Sequence, residues 1–341
     1  MKPLLSTAQP RACGSRRFSA APPLRRLLPV LAMAFSAAVA AKDYPANPIK
    51  LIVPYSVGGP SDLIARIISQ KASEVIGAPI VVDNRGGAGG VIGTTVGAKS
   101  APDGYTVVMV SPGQVGIAVA TQANLPYNPQ TDLVPVIELV EDTLILAASN
   151  KLPVNNVREL IAYMKAHPGE LNYSSASVGS LTHMVMELFK QTFGVDAVHI
   201  PFKGSSESMM AVVTGEVGIG FASPSGMKQL LQEGKLRALA VASERRTSVM
   251  PEVPTMAEMG FKNLDSPLWY SLAVPKGTPA VAIDKLHDAY AAALKDPAIQ
   301  ERLKGLGVEP IGASPEIAAK LMAADIARWK GLVKAANLKL E

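Results

Sequence analysis

Two short segments rich in glycine and serine carry the residue types that could bind an anion. The first is Tyr55-Ser56-Val57-Gly58-Gly59-Pro60-Ser61, and the second is Ser174-Ser175-Ala176-Ser177-Val178-Gly179-Ser180. Each leads into a predicted helix, so free backbone N–H groups and the helix dipole can hold a carboxylate without lysine or arginine. Further hydrogen bonds can come from the hydroxyls of Ser175, Ser177, Ser180 and Thr182. Small residues are also normal in connecting turns, but two such segments in one exported α/β chain favour binding.

The common motifs of catalysis are missing. The sequence contains no P-loop and no GxSxG nucleophile elbow. The glycine cluster from Gly86 to Gly93 is similar to a dinucleotide fingerprint, but its third glycine would fall at Ile92. No zinc-binding spacing relates the four histidines, His167, His183, His199 and His287. We therefore expect neither enzymatic activity nor a cofactor or metal.

Alternating strands and helices must position the two segments. The first segment lies between a predicted strand at 49–54 and a predicted helix at 61–76, and the second between a strand at 172–175 and a helix at 181–193. The other predicted strands are 79–82, 105–110, 144–148, 198–200, 218–221, 238–241 and 269–274. The other predicted helices are 91–99, 156–166, 206–214, 227–232, 281–294 and 315–332. This alternation predicts an α/β fold with parallel strand pairs.

The N-terminal residues have the three parts of a secretory signal peptide. A positive region from Arg11 to Arg26 precedes a short apolar core from Leu27 to Phe35, and the small residues Ala38-Val39-Ala40 precede Ala41. The apolar run of about 14 residues contains a proline, whereas a membrane-spanning helix needs roughly 20 residues. The pattern predicts that residues 1–40 are cleaved and that the mature protein is periplasmic.

Charge and cysteine content exclude several classes of function. The formal net charge is +5, but residues 1–40 hold six basic and no acidic residues, so the remaining chain has a net charge of −1. Without a basic surface stripe, nucleic acid is not an expected partner. The only cysteine, Cys13, lies in the predicted signal peptide. We therefore expect no disulfide, cysteine nucleophile or lipid anchor in the mature protein.

Short motifs follow one another in order over nearly all of residues 43–341. They are Tyr44-Pro45, Pro48-Ile49, Val53-Pro54-Tyr55, Gly58-Gly59, Asp62, Asn84-Arg85, Gly87-Ala88-Gly89-Gly90, Pro102-Asp103-Gly104-Tyr105, Leu171-Asn172-Tyr173-Ser174-Ser175, His183, Pro201-Phe202-Lys203-Gly204, Gly234-Lys235-Leu236-Arg237-Ala238-Leu239-Ala240-Val241, Pro251-Glu252-Val253-Pro254-Thr255, Trp269-Tyr270 and Pro275-Lys276-Gly277-Thr278-Pro279. Any one of them is weak, but the ordered series is specific. In this order the chain resembles the substrate-binding proteins of tripartite tricarboxylate transporters, the Bug-type or TctC family.

This resemblance implies a two-lobed periplasmic binding protein, each lobe a mostly parallel sheet flanked by helices, with a ligand cleft between the lobes. We expect residues 43–139 and 261–341 to form lobe 1 and residues 140–260 to form lobe 2. Such a receptor closes on a small carboxylate and delivers it to the integral membrane permease subunits of the transporter. We expect it to act as a monomer.

The resemblance also implies where the ligand binds. In this family one carboxylate is held by the first segment, and the other end of the ligand meets the second segment, often through bridging waters. The ligand-binding residues predicted in this way are Tyr55, Ser56, Val57, Gly58, Gly59, Ser61, Asp62, Ser175, Ser177, Gly179, Ser180, Thr182, His183, Phe202, Lys203, Ala222 and Ser223.

Two departures from the family pattern bear on the ligand. Aspartates are frequent in the family where this chain has Val217-Gly218 and where it has Ala222-Ser223. An ammonium group would need such an acidic partner, so their loss favours an aliphatic or aromatic carboxylate over an amino acid. A secreted hydrolase on the same scaffold and a ligand sensor for signalling are the alternative functions, because fold alone does not separate them from a transport receptor.

Overall fold

The computed structural model describes residues 44–261 and 264–335. The predicted signal peptide and its cleavage site lie outside the described residues. In the part of the chain that is described, no helix combines the length and the apolar character needed to cross a membrane.

Eleven strands and ten α-helices alternate along the described residues. The strands are β1 (Ile49–Val53), β2 (Ile80–Asn84), β3 (Thr106–Val110), β4 (Leu133–Asp142), β5 (Ile145–Ser149), β6 (Asn172–Ser175), β7 (Val198–Pro201), β8 (Ile219–Ala222), β9 (Leu236–Val241), β10 (Leu268–Pro275) and β11 (Glu309–Ala313). The helices are α1 (Pro60–Ile76), α2 (Val91–Ala98), α3 (Ala118–Thr121), α4 (Val157–Ala166), α5 (Leu181–Phe193), α6 (Ser205–Thr214), α7 (Pro224–Gln232), α8 (Ala280–Lys295), α9 (Pro297–Gly305) and α10 (Pro315–Ala335).

The strands form two separate sheets. The first has six strands in the order β11-β4-β10-β3-β1-β2, and the second has five in the order β7-β6-β8-β5-β9. The chain enters the second sheet directly after β4 and returns to the first with β10. The α/β class with two helix-flanked sheets is therefore as predicted, while the residue boundaries of the two lobes stay a prediction.

The direction of the strands differs from the expectation of mostly parallel sheets. In the first sheet β1 pairs in parallel with β2 and β3, but β10 runs antiparallel to both β3 and β4. In the second sheet β5 runs antiparallel to β8 and β9. Parallel neighbours need a crossover connection, usually a helix, and β5 and β10 enter their sheets from the other sheet without one. Both sheets are therefore mixed.

Strand β4 is the longest element that the sequence analysis missed. It is ten residues long and almost wholly buried, and it carries Pro135, Glu138 and Asp142. Its apolar positions do not alternate, because β4 lies between β10 and β11 with helices against it. The helices α8 and α10 near the C-terminal end pack on this strand. The missed strand thus anchors the end of the chain to the first sheet.

The first helix shows how local sequence positions the first segment. Pro60 occupies the first helical position, where its missing N–H costs nothing, and the carboxylate of Asp62 lies in the first turn. The buried side chains of Ile64, Ile67 and Ile68 attach one face of α1 to the core. With α1 fixed, the residues before Pro60 must lie at the carboxyl end of β1.

Candidate ligand-binding site

A cavity of about 110 Å³ lies where four helices begin. It is lined by the N-terminal residues of α1 (Gly59, Pro60, Ser61), α5 (Ser180, Leu181, Thr182), α6 (Gly204, Ser205, Ser206, Glu207) and α7 (Ser223). Each of these helices follows a strand, and β6, β7 and β8 are mutually parallel where they pair, so their carboxyl ends share one edge of the second sheet. Four of the strand-to-helix connections therefore meet at one cavity.

Asp62 holds the first segment in its conformation through hydrogen bonds. Its Oδ2 accepts the N–H of Gly58 at 2.9 Å, and its Oδ1 accepts Arg66 Nε at 2.9 Å. Burial by itself raises the pKa of Asp62, but these hydrogen bonds from Arg66 and Gly58 outweigh it and lower the pKa below its ordinary value. Asp62 does not line the cavity. Its carboxylate is engaged in holding the turn.

Two backbone amides at the start of α1 have no hydrogen-bond acceptor within the described residues. The first helical hydrogen bond of α1 runs from the N–H of Leu63 to the carbonyl of Gly59 at 3.0 Å. Among the described residues, no group accepts a hydrogen bond from the amides of Ser61 or Asp62. Such N-terminal amides point out of a helix along its axis and carry its positive dipole. Because Ser61 lines the cavity, an anion there can accept a hydrogen bond from its amide.

The hydroxyls of the second segment build the turn itself. Ser180 Oγ donates to the carbonyl of Ser177 at 2.7 Å and accepts the N–H of His183 at 3.4 Å. Thr182 Oγ1 accepts the N–H of Ala176 at 3.1 Å. The amides of Leu181 and Thr182 have no acceptor among the described residues. The second segment therefore also offers helix amides, supported by its own hydroxyls.

The residues from Gly204 to Glu207, where α6 begins, also line the cavity and were not predicted. Ser206 Oγ donates to the carbonyl of Gly58 at 3.4 Å, and Ser56 Oγ donates to the carbonyl of Lys203. These bonds join the first turn to the start of α6. The polar residues that open α6, directly after the Lys203-Gly204 motif, were the available signal in the sequence.

The charges at the cavity are few. Lys203 and Glu207 are the charged residues that line it in the described part of the chain, and Glu207 Oε2 accepts the N–H of Lys203 at 3.2 Å. Leu144, Leu268 and Tyr270, which the sequence analysis did not predict, contribute to the apolar part of the wall. Burial raises the pKa of Tyr270, so its phenol is neutral. A neutral phenol and the helix amides are donors rather than counter-charges.

The predicted binding residues fall into three groups. Those that line the cavity are Tyr55, Ser56, Val57, Gly59, Ser61, Ser180, Thr182, Lys203 and Ser223. An adjoining cavity of about 460 Å³ is lined by Ser177 and Phe202, together with Gly86, Gly87, Ala88 and Gly90. Neither cavity is lined by Gly58, Asp62, Ser175, Gly179, His183 or Ala222. Most of the predicted residues thus line one of the two cavities, while these last six do not, and their role in binding stays a prediction.

No group of three or more histidine, aspartate or glutamate side chains within residues 44–261 and 264–335 is arranged to hold a metal ion. The two sheets instead present backbone amides, hydroxyls and one lysine at the cavity. This chemistry suits an anionic or hydrogen-bond-accepting molecule.

Comparison with known proteins places this arrangement in one family. The family model described as the tripartite tricarboxylate transporter family receptor, TctC, matches residues 64–338. Protein BugT of Bordetella pertussis is 36% identical over 324 residues, which cover 93% of this chain and 99% of BugT.

Solved structures agree with the sequence comparison. Rpa4515 of R. palustris with adipate is 34% identical with a TM-score of 0.84, covering 87% of this chain and 99% of that one. MatC of Rhodopseudomonas palustris with bound malate is 33% identical with a TM-score of 0.82, covering 85% of this chain and all of the other. The chain belongs to the Bug-type, or TctC, family of tripartite tricarboxylate transporter receptors.

Proposed function

We propose that this protein is a periplasmic receptor that binds a small carboxylate in the cavity at the four helix N-termini and delivers it to a tripartite-type permease. The observation that carries the proposal is the convergence of α1, α5, α6 and α7 on one cavity with a single lysine beside it. Each helix N-terminus stabilises a nearby anion by about 0.3–2 kcal/mol. The related proteins with adipate and with malate support a carboxylate as the ligand.

The proposed ligand is a carboxylate without an ammonium group. Ser223, at one of the positions where an aspartate is frequent in the family, lines the cavity and lacks a negative charge. Glu207 is the one acidic side chain lining the cavity among the described residues, and its Oε2 already accepts the N–H of Lys203. The ammonium group of an amino acid would therefore compete with the backbone N–H of Lys203 for the Glu207 carboxylate.

A serine–histidine pair that includes Ser175 of the second segment is the feature that could favour a hydrolase. Ser175 Oγ lies 2.7 Å from His199 Nε2. Ser175 is fully buried, donates to the carbonyl of Ser177 at 3.0 Å and lines neither cavity. A nucleophile must reach its substrate, so this pair supports a structural role, and we propose that the protein is not an enzyme.

A ligand panel with matched pairs tests the proposal. Thermal unfolding of the mature protein is followed with adipate, malate, succinate and aromatic carboxylates, with adipamide as the uncharged partner of adipate and aspartate as the ammonium-bearing partner of succinate. A ligand at a hundredfold excess over its Kd stabilises the folded state by about 2.7 kcal/mol. We expect stabilisation by a carboxylate but not by its amide, and by succinate more than by aspartate.

Mass spectrometry of the small molecule released on denaturation identifies a ligand that the panel omits. A released molecule without a carboxylate, together with no stabilisation across the panel, would contradict the proposal. Glu207→Gln is the control for the amino-acid arm, because it removes the acidic side chain at the cavity. Stronger binding of aspartate than of succinate, lost in Glu207→Gln, would assign an amino-acid ligand instead.

A further inference from the structure

Two stacked imidazoles lie directly behind the second segment. His183 belongs to the first turn of α5 and His199 to β7, and their ring centroids are 3.9 Å apart with planes inclined by 8°. The ring of Tyr173, on β6, stacks on His199 with centroids 4.8 Å apart. His183 is buried, and it was predicted to touch the ligand, yet it lines neither cavity.

Each imidazole holds one end of the segment through a hydrogen bond. His183 Nδ1 accepts the backbone N–H of Gly179 at 3.1 Å. At the other end, Ser175 Oγ lies 2.7 Å from His199 Nε2. The residues between these two contacts include Ala176, which lines the cavity, and Ser177, which lines the adjoining one.

These partners indicate whether one nitrogen of each ring carries a proton. An N–H donates to His183 Nδ1, so that nitrogen carries no proton. Ser175 Oγ gives its single hydrogen to the carbonyl of Ser177, so His199 Nε2 is the donor to Ser175 Oγ. His183 is therefore neutral with its proton on Nε2, and His199 carries a proton on Nε2, as assigned from their hydrogen-bond partners.

Burial and the charge of Lys190 oppose an imidazolium at both rings, while the charge of Glu187 favours it. Glu187, on α5, already binds Lys190 Nζ at 2.9 Å and accepts the hydroxyl proton of Tyr173. Asp196, before β7, lies 3.7 Å from the same Lys190 Nζ. Burial lowers the pKa of both histidines below the ordinary value, and that of His199 to about 4. Burial thus outweighs Glu187 and favours the neutral state of the pair.

We propose that the stacked pair of His183 and His199 positions the second segment for ligand binding, and that it does so only while both rings are neutral. Protonation of His183 Nδ1 would set an N–H against the N–H of Gly179, and a charge on either ring would lie beside the other ring. The inference rests on the proposed carboxylate receptor only for its effect on affinity. The positioning itself is a property of the unliganded protein.

The sign of the pH effect follows from the lowered pKa values. A histidine whose pKa is lowered in the folded state supports that state fully above its ordinary pKa of about 6.5, and the support is lost as the pH falls towards the folded value. Within the folded protein the rings take up protons only near these lowered pKa values, so we expect the second segment to lose its geometry, and the affinity for a carboxylate to fall, as the pH approaches the His199 pKa of about 4.

Substitution by amides separates positioning from titration. His183→Asn places an amide oxygen where Nδ1 lies, and His199→Gln extends an amide nitrogen towards Ser175, so both keep the hydrogen bonds without titrating. His183→Leu removes the acceptor of the Gly179 amide. We expect adipate affinity near neutral pH to change less than about threefold in the double amide variant and to fall about tenfold in His183→Leu, as for loss of one hydrogen bond.

Two readouts test the proposal with adipate as the probe. The first is the pH dependence of adipate affinity, which we expect to be steeper in the wild type than in the double amide variant. The second is the NMR shift of the Gly179 amide in the unliganded protein, which we expect to titrate with the histidines and to stay constant in His183→Asn. Identical pH profiles and a Gly179 amide that does not respond to the histidines would overturn the proposal.

The two proposals fail differently. If adipate binds no variant at any pH, the Gly179 amide still decides whether the pair positions the segment. If adipate binds all variants with one pH profile, the receptor function stands and the positioning role is refuted. A loss of melting temperature alone in His183→Leu, with unchanged affinity, would likewise refute it.

Discussion

A substitution of Gly59 tests whether the first segment binds the ligand, and it does so without straining the backbone. Its φ of −81° and ψ of 171° are extended and open to any residue, and an added Cβ would meet only the carbonyl oxygen of Ser56 at 3.5 Å. Gly59→Val therefore fits the turn while adding a branched side chain at the cavity wall. Obstruction of one charge-assisted hydrogen bond costs roughly 1.5–3 kcal/mol, so we expect affinity to fall about ten- to a hundredfold.

Calorimetric titration with the carboxylate that stabilises the wild type measures this effect, and thermal unfolding without ligand measures the cost to the fold. Gly58→Ala is the matched control, because Gly58 has a φ of +78° and does not line the cavity. We expect that variant to lose about 1 kcal/mol of stability through backbone strain. If Gly59→Val binds as tightly as the wild type, the first segment is not part of the binding site and its amides do not hold the ligand.

Three further outcomes are expected. Ser61→Ala removes one hydroxyl and leaves the amides, so affinity should fall by about two- to tenfold in the same titration, less than in Gly59→Val. Burial raises the pKa of Asp142 to about 7, so the folded state loses stability as the pH rises from the ordinary value of 3.8 towards 7. Asp142→Asn should therefore melt above the wild type at neutral pH, with a difference that shrinks towards about pH 4. Intact-mass measurement of the exported protein should give a chain that begins near Ala41, whereas the mass of the full precursor would refute the signal peptide.

The local elements were largely predictable because their signals lie within a few residues. The apolar stripe of α1, with Pro60 at its start, placed that helix to within a residue. Asn156 caps α4 through its side chain, which accepts the N–H of Glu159 at 2.9 Å. Strand β4 escaped because it is buried on both faces and carries charged residues, so neither alternation nor an apolar run marks it.

The candidate site was predictable only in part. The first and second segments can be recognised in the sequence because small residues lie between a predicted strand and a predicted helix, which is a local property. The contribution of α6 depends on contacts such as that of Ser206 with Gly58, which lie 148 positions apart in the chain. Tyr270 reaches the cavity because β10 returns to the first sheet between β3 and β4. No pattern within either segment predicts the contact of Ser206 with Gly58 or the position of Tyr270 at the cavity.

The sequence by itself determined the alternation of strands and helices and the two glycine- and serine-rich segments at helix starts, because periodicity and turn residues act over short distances. The ordered series of motifs determined the family. The tertiary structure alone decided the direction of the strands, the convergence of four helix N-termini and the place of His183 behind the turn. The physical reason is that these features depend on which distant strands pair. His183 was predicted to bind the ligand, but in the structure it is buried, stacks on His199 and lines neither cavity.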